Sequence, residues 1–264
     1  MSTEDRRGQN LKDEESREMT VNDSLSVMTK EEVGYGRGGE RLTVNLKESN
    51  IFEQGDQLSC PGDLAAGDIY THAFHGYLST ILDPESWTIP KTVWEAKNRG
   101  VLFDVGHGQG SFNWTVLEKC AAEGFWPDTI STDLHSGNLQ GPAYDLPTVM
   151  TKLLHVGMPF VEIIKAVTIT PARALGISDK VGVLAPGREA DITIVKIEDC
   201  DAWLEDSAGQ RRRIRKRIVP VAVFKGGKLF ETRRPVPWPN VETGKNLATQ
   251  WRSQVVRDSE EPKF

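Results

Sequence analysis

Long apolar runs are missing from this 264-residue chain, and no stretch approaches the ~20 residues a bilayer-crossing helix needs. The amino-terminal MSTEDRRGQNLKDEESREMTVND has no apolar core and many acids, so neither a secretory signal nor a transit peptide is expected. Cysteine is scarce: Cys60, Cys120 and Cys200 are widely spaced and form no CxxC, which argues against a disulfide framework or a cysteine zinc knuckle. Excess positive charge is also lacking. A formal charge of −6 and a pI near 5.5 speak against a nucleic-acid-binding surface, so no nucleic-acid partner and no membrane are expected, and the cytoplasm is the expected location. The one basic run, Arg211 to Arg217, is read as a solvated loop leading into a strand before it is read as a binding patch.

Residues 1–40 are polar and charged with almost no apolar periodicity, and are expected to be disordered, because such a segment buries too little surface to offset its ordering entropy. RLTVNL (41–46) alternates like a strand. From Gly67 the pattern changes. GDIYTHAF reads as a strand, TVWEAKNRG as a helix closed by Gly100, VLFDVGHG as a second strand, SFNWTVLEKCAAEG as an amphipathic helix stopped by Gly124, and PDTISTDLH as a third strand. That alternation is the rhythm of parallel βα units. LPTVMTKLLHVG and PFVEIIKAVTITPARALG continue it as helices. Beyond Gly176, VGVLAPGREADITIVKI and RIVPVAVFKGGKLFET predict short strands, with Gly226-Gly227 as a hairpin turn. The boundaries expected are 1–40, a barrel segment over 41–176, a β-rich module over 177–232 and a loose tail over 233–264.

In parallel βα folds, reactive groups gather where strands end. Each of the three strands delivers one there: His72, His107 and Asp133. Imidazole nitrogen and carboxylate oxygen are suited to zinc and similar ions, and a carboxylate can also carry a proton between water and a leaving amine. The alternative for both His72 and Asp133 is a hydrogen-bonded loop residue. GHGQGS lacks the spacing of a dinucleotide fingerprint and the GK[ST] ending of a P-loop. No GxSxG occurs, and Cys120 falls in mid-helix, so covalent catalysis is not expected. His75 and His155 read as structural.

GDIYTHAFHG, RGVLFDVGHGQGSFNW, GFWPDTISTDLHSGN and DLPTVMTKLLHVGM together resemble the deacetylase-type, dihydroorotase-like branch of the amidohydrolase superfamily, and TPARALG…GVLAPGREADITIV is similar to its carboxyl-terminal signature. The resemblance spans about Cys60 to Leu229. It implies an α/β fold: the last βα units of a (β/α)8 TIM-type barrel of the metal-dependent hydrolase kind, with a small β-module. It further implies hydrolysis of amide or ester bonds of a small molecule with a divalent ion, zinc before manganese or iron. His72 matches the sixth-strand metal ligand. Asp133 matches the eighth-strand aspartate, which both ligates and moves protons. His107, His135 and Asn138 would contact substrate, and a homo-oligomer is open. The family's first-strand HxH occurs nowhere in this chain and no lysine stands as the bridging one, so an incomplete copy or a diverged, non-catalytic scaffold is the alternative expectation, with open sheet edges and marginal stability.

Overall fold

The computed structural model describes residues 26–29, 45–48, 59–77 and 80–232. Strands β1 (Ser26–Thr29) and β2 (Asn45–Glu48) pair antiparallel with each other, and β1 lies antiparallel along β3 (Ile69–Tyr70). β3 pairs parallel with β4 (Leu102–Phe103). A third parallel line follows through the Asp104–Thr129 bridge, and N–H groups of Val105, His107 and Gly108 donate in turn to the carbonyls of Thr129, Ser131 and Thr132. Among the described residues the parallel strands form an open sheet, consistent with part of a barrel. The outer edge of β3 is covered by β1 where an open edge was expected. The strand at Ser26–Thr29 falls within the segment expected to be disordered. The rest of residues 1–40, and the tail from 233, lie outside the described residues.

Helix boundaries follow local chemistry. The short helix α1 (Ser59–Gly62) precedes β3. Helix α2 (Lys91–Arg99) buries Val93 and Ala96, and ends where Gly100 adopts φ 101°, returning its N–H to the carbonyls of Ala96 and Lys97. A side chain with a Cβ is disfavoured in that left-handed cap. Helix α3 (Trp114–Ala122) is capped by the Asn113 side chain, which accepts from Val116 N, and buries Trp114, Leu117 and Cys120 at every third position. Helix α4 (Leu146–His155) is capped by Asp145 accepting from Thr148 N, with Pro147 in the first turn, where a missing N–H costs nothing.

The stretch read as one helix, PFVEIIKAVTITPARALG, divides into α5 (Phe160–Ala166) and α6 (Ile169–Ala174). Pro171 has no N–H to offer the carbonyl four residues back, and its ring clashes there, so the helix breaks at Val167–Thr168 and restarts.

The β-module differs more from expectation. Its strands are long: β5 (Ile192–Glu205) and β6 (Arg211–Lys225) run antiparallel with register shifts at Ile194/Val195 and Asp199/Ala202, and β7 (Lys228–Phe230) folds back through Gly226-Gly227 at φ 57° and 77°. The basic run is part of β6, not a loop. Arg217 pairs with Glu198, Arg213 with Asp201, and Arg212 with Glu118 of α3. Such partly exposed pairs contribute at most about 1 kcal/mol each, yet they align the register of an acidic and a basic strand. α4 packs on β6, and Ile218 N donates to the Thr151 hydroxyl at 3.0 Å. Leu204, Ile214 and Ile218 of the module enter the same core as Phe103, Trp114 and Leu153, so the sheet and the βα units share one hydrophobic interior.

Candidate active-site rim

The rim begins with a buried carboxylate beneath it. Asp104, directly after β4, accepts from the hydroxyls of Thr71 (2.8 Å), Thr129 (2.7 Å) and Ser131 (2.6 Å), joining all three parallel strands just short of their ends. Asp104 was not singled out from sequence, although a charged residue inside the apolar run VLFDV marks it.

Above it the chain turns at Gly106-His107-Gly108, with the two glycines at φ 47° and 52°. His72 and Asp133 lie against this turn. A Cβ on Gly106 would stand 2.6 Å from His72 Nδ1 and would also strike the Thr71 hydroxyl; one on Gly108 would stand 2.8 Å from Asp133 Oδ2. The strand ends thus place His72 and Asp133 at one end of the sheet, each abutting one glycine of the same turn. Both are non-glycine residues with positive φ, 57° and 45°, a costly conformation that clusters at functional sites. Gly106→Ala is expected to lose about 2 kcal/mol in a denaturant titration, because the left-handed backbone and the collision act together.

His72 is half-buried, and its Nδ1 donates to the Gly106 carbonyl at 2.5 Å. A carbonyl only accepts, so Nδ1 carries the proton and Nε2 keeps its lone pair in the neutral ring, the orientation a metal-binding histidine usually has. Asp133 is exposed. Its backbone carbonyl accepts from the Asn138 side-chain amide at 2.8 Å, while the Asn138 side-chain oxygen accepts from His135 N at 2.9 Å. Asn138 is fully buried, so in this structure it shapes the Asp133 loop from within. His135 is exposed, with Nδ1 accepting from Gly137 N. His107 is fully buried: its ring stacks on Phe112 at 4.4 Å between centroids, and its Nε2 lies 2.7 Å from Lys152 Nζ. The three residues expected to contact substrate therefore divide, with His135 on the surface and His107 and Asn138 below it.

Lys152 was not singled out from sequence, although it falls on the same face of α4 as the buried Val149 and Leu153. Burial pulls its pKa down to about 7 against the raising influence of Glu205 and Asp206. Asp206 itself is pushed up to about 6 by burial, while accepting from the N–H groups of Trp114, Ala208 and Gln210. Tyr144 donates to Glu205 at 2.5 Å.

The chain is similar to several known proteins. The amidohydrolase family pattern matches residues 113–229. A deacetylase from Enterococcus faecalis is 41% identical over 166 residues, 62% of this chain and 45% of that protein. The crystal structure of an adenine deaminase superposes with a TM-score of 0.62 at 39% identity, covering 64% of this chain and 46% of the other. That of a dihydroorotase does so at 0.58 and 34%, covering 66% and 47%. The parallel βα arrangement is similar to a segment of the fold of these amidohydrolase-type enzymes. Over these segments the chain is similar to members of the amidohydrolase superfamily. It spans about half the length of the relatives it matches.

Members of the superfamily generally use divalent metals. His72 and Asp133 fit such an ion in kind: one imidazole with a tethered Nδ1, one exposed carboxylate. They do not fit in number, since among the described residues no three His, Cys, Asp or Glu side chains form a metal-holding group, and zinc sites ordinarily use three or four donors. No helix among the described residues is long and apolar enough to cross a membrane.

Proposed function

We propose that this chain carries the carboxyl-terminal share of a site that hydrolyses amide or ester bonds of a small acyl substrate, as a deacetylase does. The observation that supports it is Asp133: an exposed carboxylate held in a left-handed backbone at the end of a parallel strand, buttressed by Asn138, and set against the same glycine turn as His72. In this reading Asp133 takes a proton from the attacking water and returns it to the leaving nitrogen or oxygen. His72 offers a lone pair at Nε2, with its ring angle set by the Gly106 carbonyl. Where further donors complete the set, a divalent ion (zinc, manganese or iron) would supply acidification of that water.

A second reading is a non-catalytic scaffold, favoured by the two-donor count among the described residues. One experiment separates the two. The full chain, purified from cells supplied with zinc or manganese, is assayed for bound metal by plasma emission and for hydrolysis of N-acyl amino acids and acyl esters. Retained metal, with kcat/KM falling about 100-fold in Asp133→Asn at an unchanged melting temperature, supports the hydrolase. Neither metal nor hydrolysis supports the scaffold. Hydrolysis indifferent to Asp133→Asn removes Asp133 from the reaction.

A further inference from the structure

Lys152 is fully buried, and lysine is almost never so placed unless its charge is met. Its Nζ has three partners: the carbonyls of Pro142 at 2.9 Å and Glu205 at 2.6 Å, and His107 Nε2 at 2.7 Å. An ammonium has three donors, and three acceptors surround it. The rings of Phe112 and Trp114 lie 4.9 and 5.7 Å from it, an added stabilisation for a desolvated cation.

These contacts dictate the state of His107. Its Nδ1 lies 2.9 Å from the Gly108 carbonyl, which can only accept, so Nδ1 bears the hydrogen. Nε2 then accepts from Lys152. A doubly protonated ring would set a second cation against the ammonium, and burial together with Lys152 lowers the ring's affinity for that proton. The neutral, Nδ1-protonated ring is locked flat on Phe112, with 11° between the planes.

The backbone around this ring forms the floor of the rim. Gly106 O holds His72 Nδ1, while His107 N and Gly108 N donate to Ser131 and Thr132, the two residues before Asp133. We propose that Lys152 is a positioning residue: by donating to Nε2, opposite the Gly108 carbonyl at Nδ1, it holds the His107 ring in place as the Nδ1–H tautomer, and so fixes the Gly106–Gly108 turn that sets His72 and Asp133. Its functional meaning rests on the reading of those two residues as the reactive pair. The same ammonium binds the Glu205 carbonyl at the end of β5, so the small sheet is tied to the rim through one side chain. A purely structural lysine would tie sheet to barrel without holding the His107 ring, and this difference makes the idea testable.

The test is nitrogen NMR of the full chain labelled with ¹⁵N-histidine, at pH 6, where Lys152 carries its proton, with the His107 signals assigned by their loss in His107→Gln. The expected result is one neutral ring protonated at Nδ1. In Lys152→Met the Nε2 signal should lose the shift that its hydrogen bond from Nζ gives it, and the amide signals of Thr132 and Asp133 should move while that of Gly226 in the hairpin turn stays in place. A wild-type His107 ring protonated at Nε2, or cationic, would overturn the proposal. So would a folded Lys152→Met chain with an unchanged Nε2 signal and unmoved Thr132 and Asp133 signals. If Lys152→Met does not fold, Lys152→Gln, which keeps a donor on a shorter side chain, is read for the same Nε2, Thr132 and Asp133 signals, with the same outcomes supporting or overturning the proposal. A chain without hydrolysis but with the Nδ1–H ring defeats the functional reading and leaves this inference standing. A hydrolysing chain with an Nε2–H ring does the reverse.

Discussion

Trp114→Ala is expected to destabilise the chain by about 4 kcal/mol, lowering its melting temperature by about 10 °C, within the range for deleting a buried aromatic. The side chain is fully buried at the start of α3 and meets both parts of the molecule. On the βα side it packs edge-on against Phe112 (5.3 Å) and His155 (5.7 Å). Towards the module, its indole N–H donates to the Leu204 carbonyl at 3.2 Å, and its backbone N–H to Asp206. Alanine would leave a cavity at the seam and orphan a buried carbonyl of β5, which adds to the cost of lost packing. Trp114→Phe keeps much of the volume but not the donor, and should lie well between wild type and alanine. Thermal melting checks both. A Trp114→Ala chain that melts like wild type would mean that the seam does not hold the two parts together.

Asp104→Ala should cost nearly as much, about 3 to 4 kcal/mol by equilibrium denaturation. The carboxylate gathers three hydroxyl donors from two flanking strands, and hydrogen bonds to charged acceptors are worth about 1.5 to 3 kcal/mol each, with part of that offset by the cost of burying the charge. Removing it strands Thr71 and Thr129 hydroxyls in a buried site. Asp104→Asn retains one accepting oxygen, and its amide can donate to a hydroxyl, so a smaller loss is expected. Hydrogen exchange adds a local reading: the Ala73 and Val105 amides, which bond across these strands, should lose protection in Asp104→Ala before those of the β5–β6 hairpin. Equal loss everywhere would show that the cluster is not a local lock.

Much of the rim was legible because its signals are short-range. Glycines at 100, 124 and 157 marked helix ends, since a left-handed cap depends only on adjacent dihedrals, and all three have positive φ. Apolar runs ending in His72, His107 and Asp133 marked strand ends for the same reason. The fate of His107 was not legible. Whether a strand-end side chain turns up to the rim or down into the core depends on what waits below it, and here that is Lys152, 45 residues later in the chain. The length of β5 and β6 was hidden as well, because a run of five arginines and a lysine around Ile214 reads as a solvated loop leading into a strand until Glu198, Asp201 and Glu118 are brought opposite.

By itself, then, the residue order determined the alternation of strand and helix, the helix stops, and the placing of three ionisable groups at strand ends, all of which are set by dihedral preference and the period of apolar residues. Only the tertiary structure decided that His72 and Asp133 flank one glycine turn, that Asp104 locks the strands beneath them, and that a buried lysine supports the turn. Those outcomes rest on hydrogen bonds between residues up to 53 positions apart, whose partners no local pattern specifies.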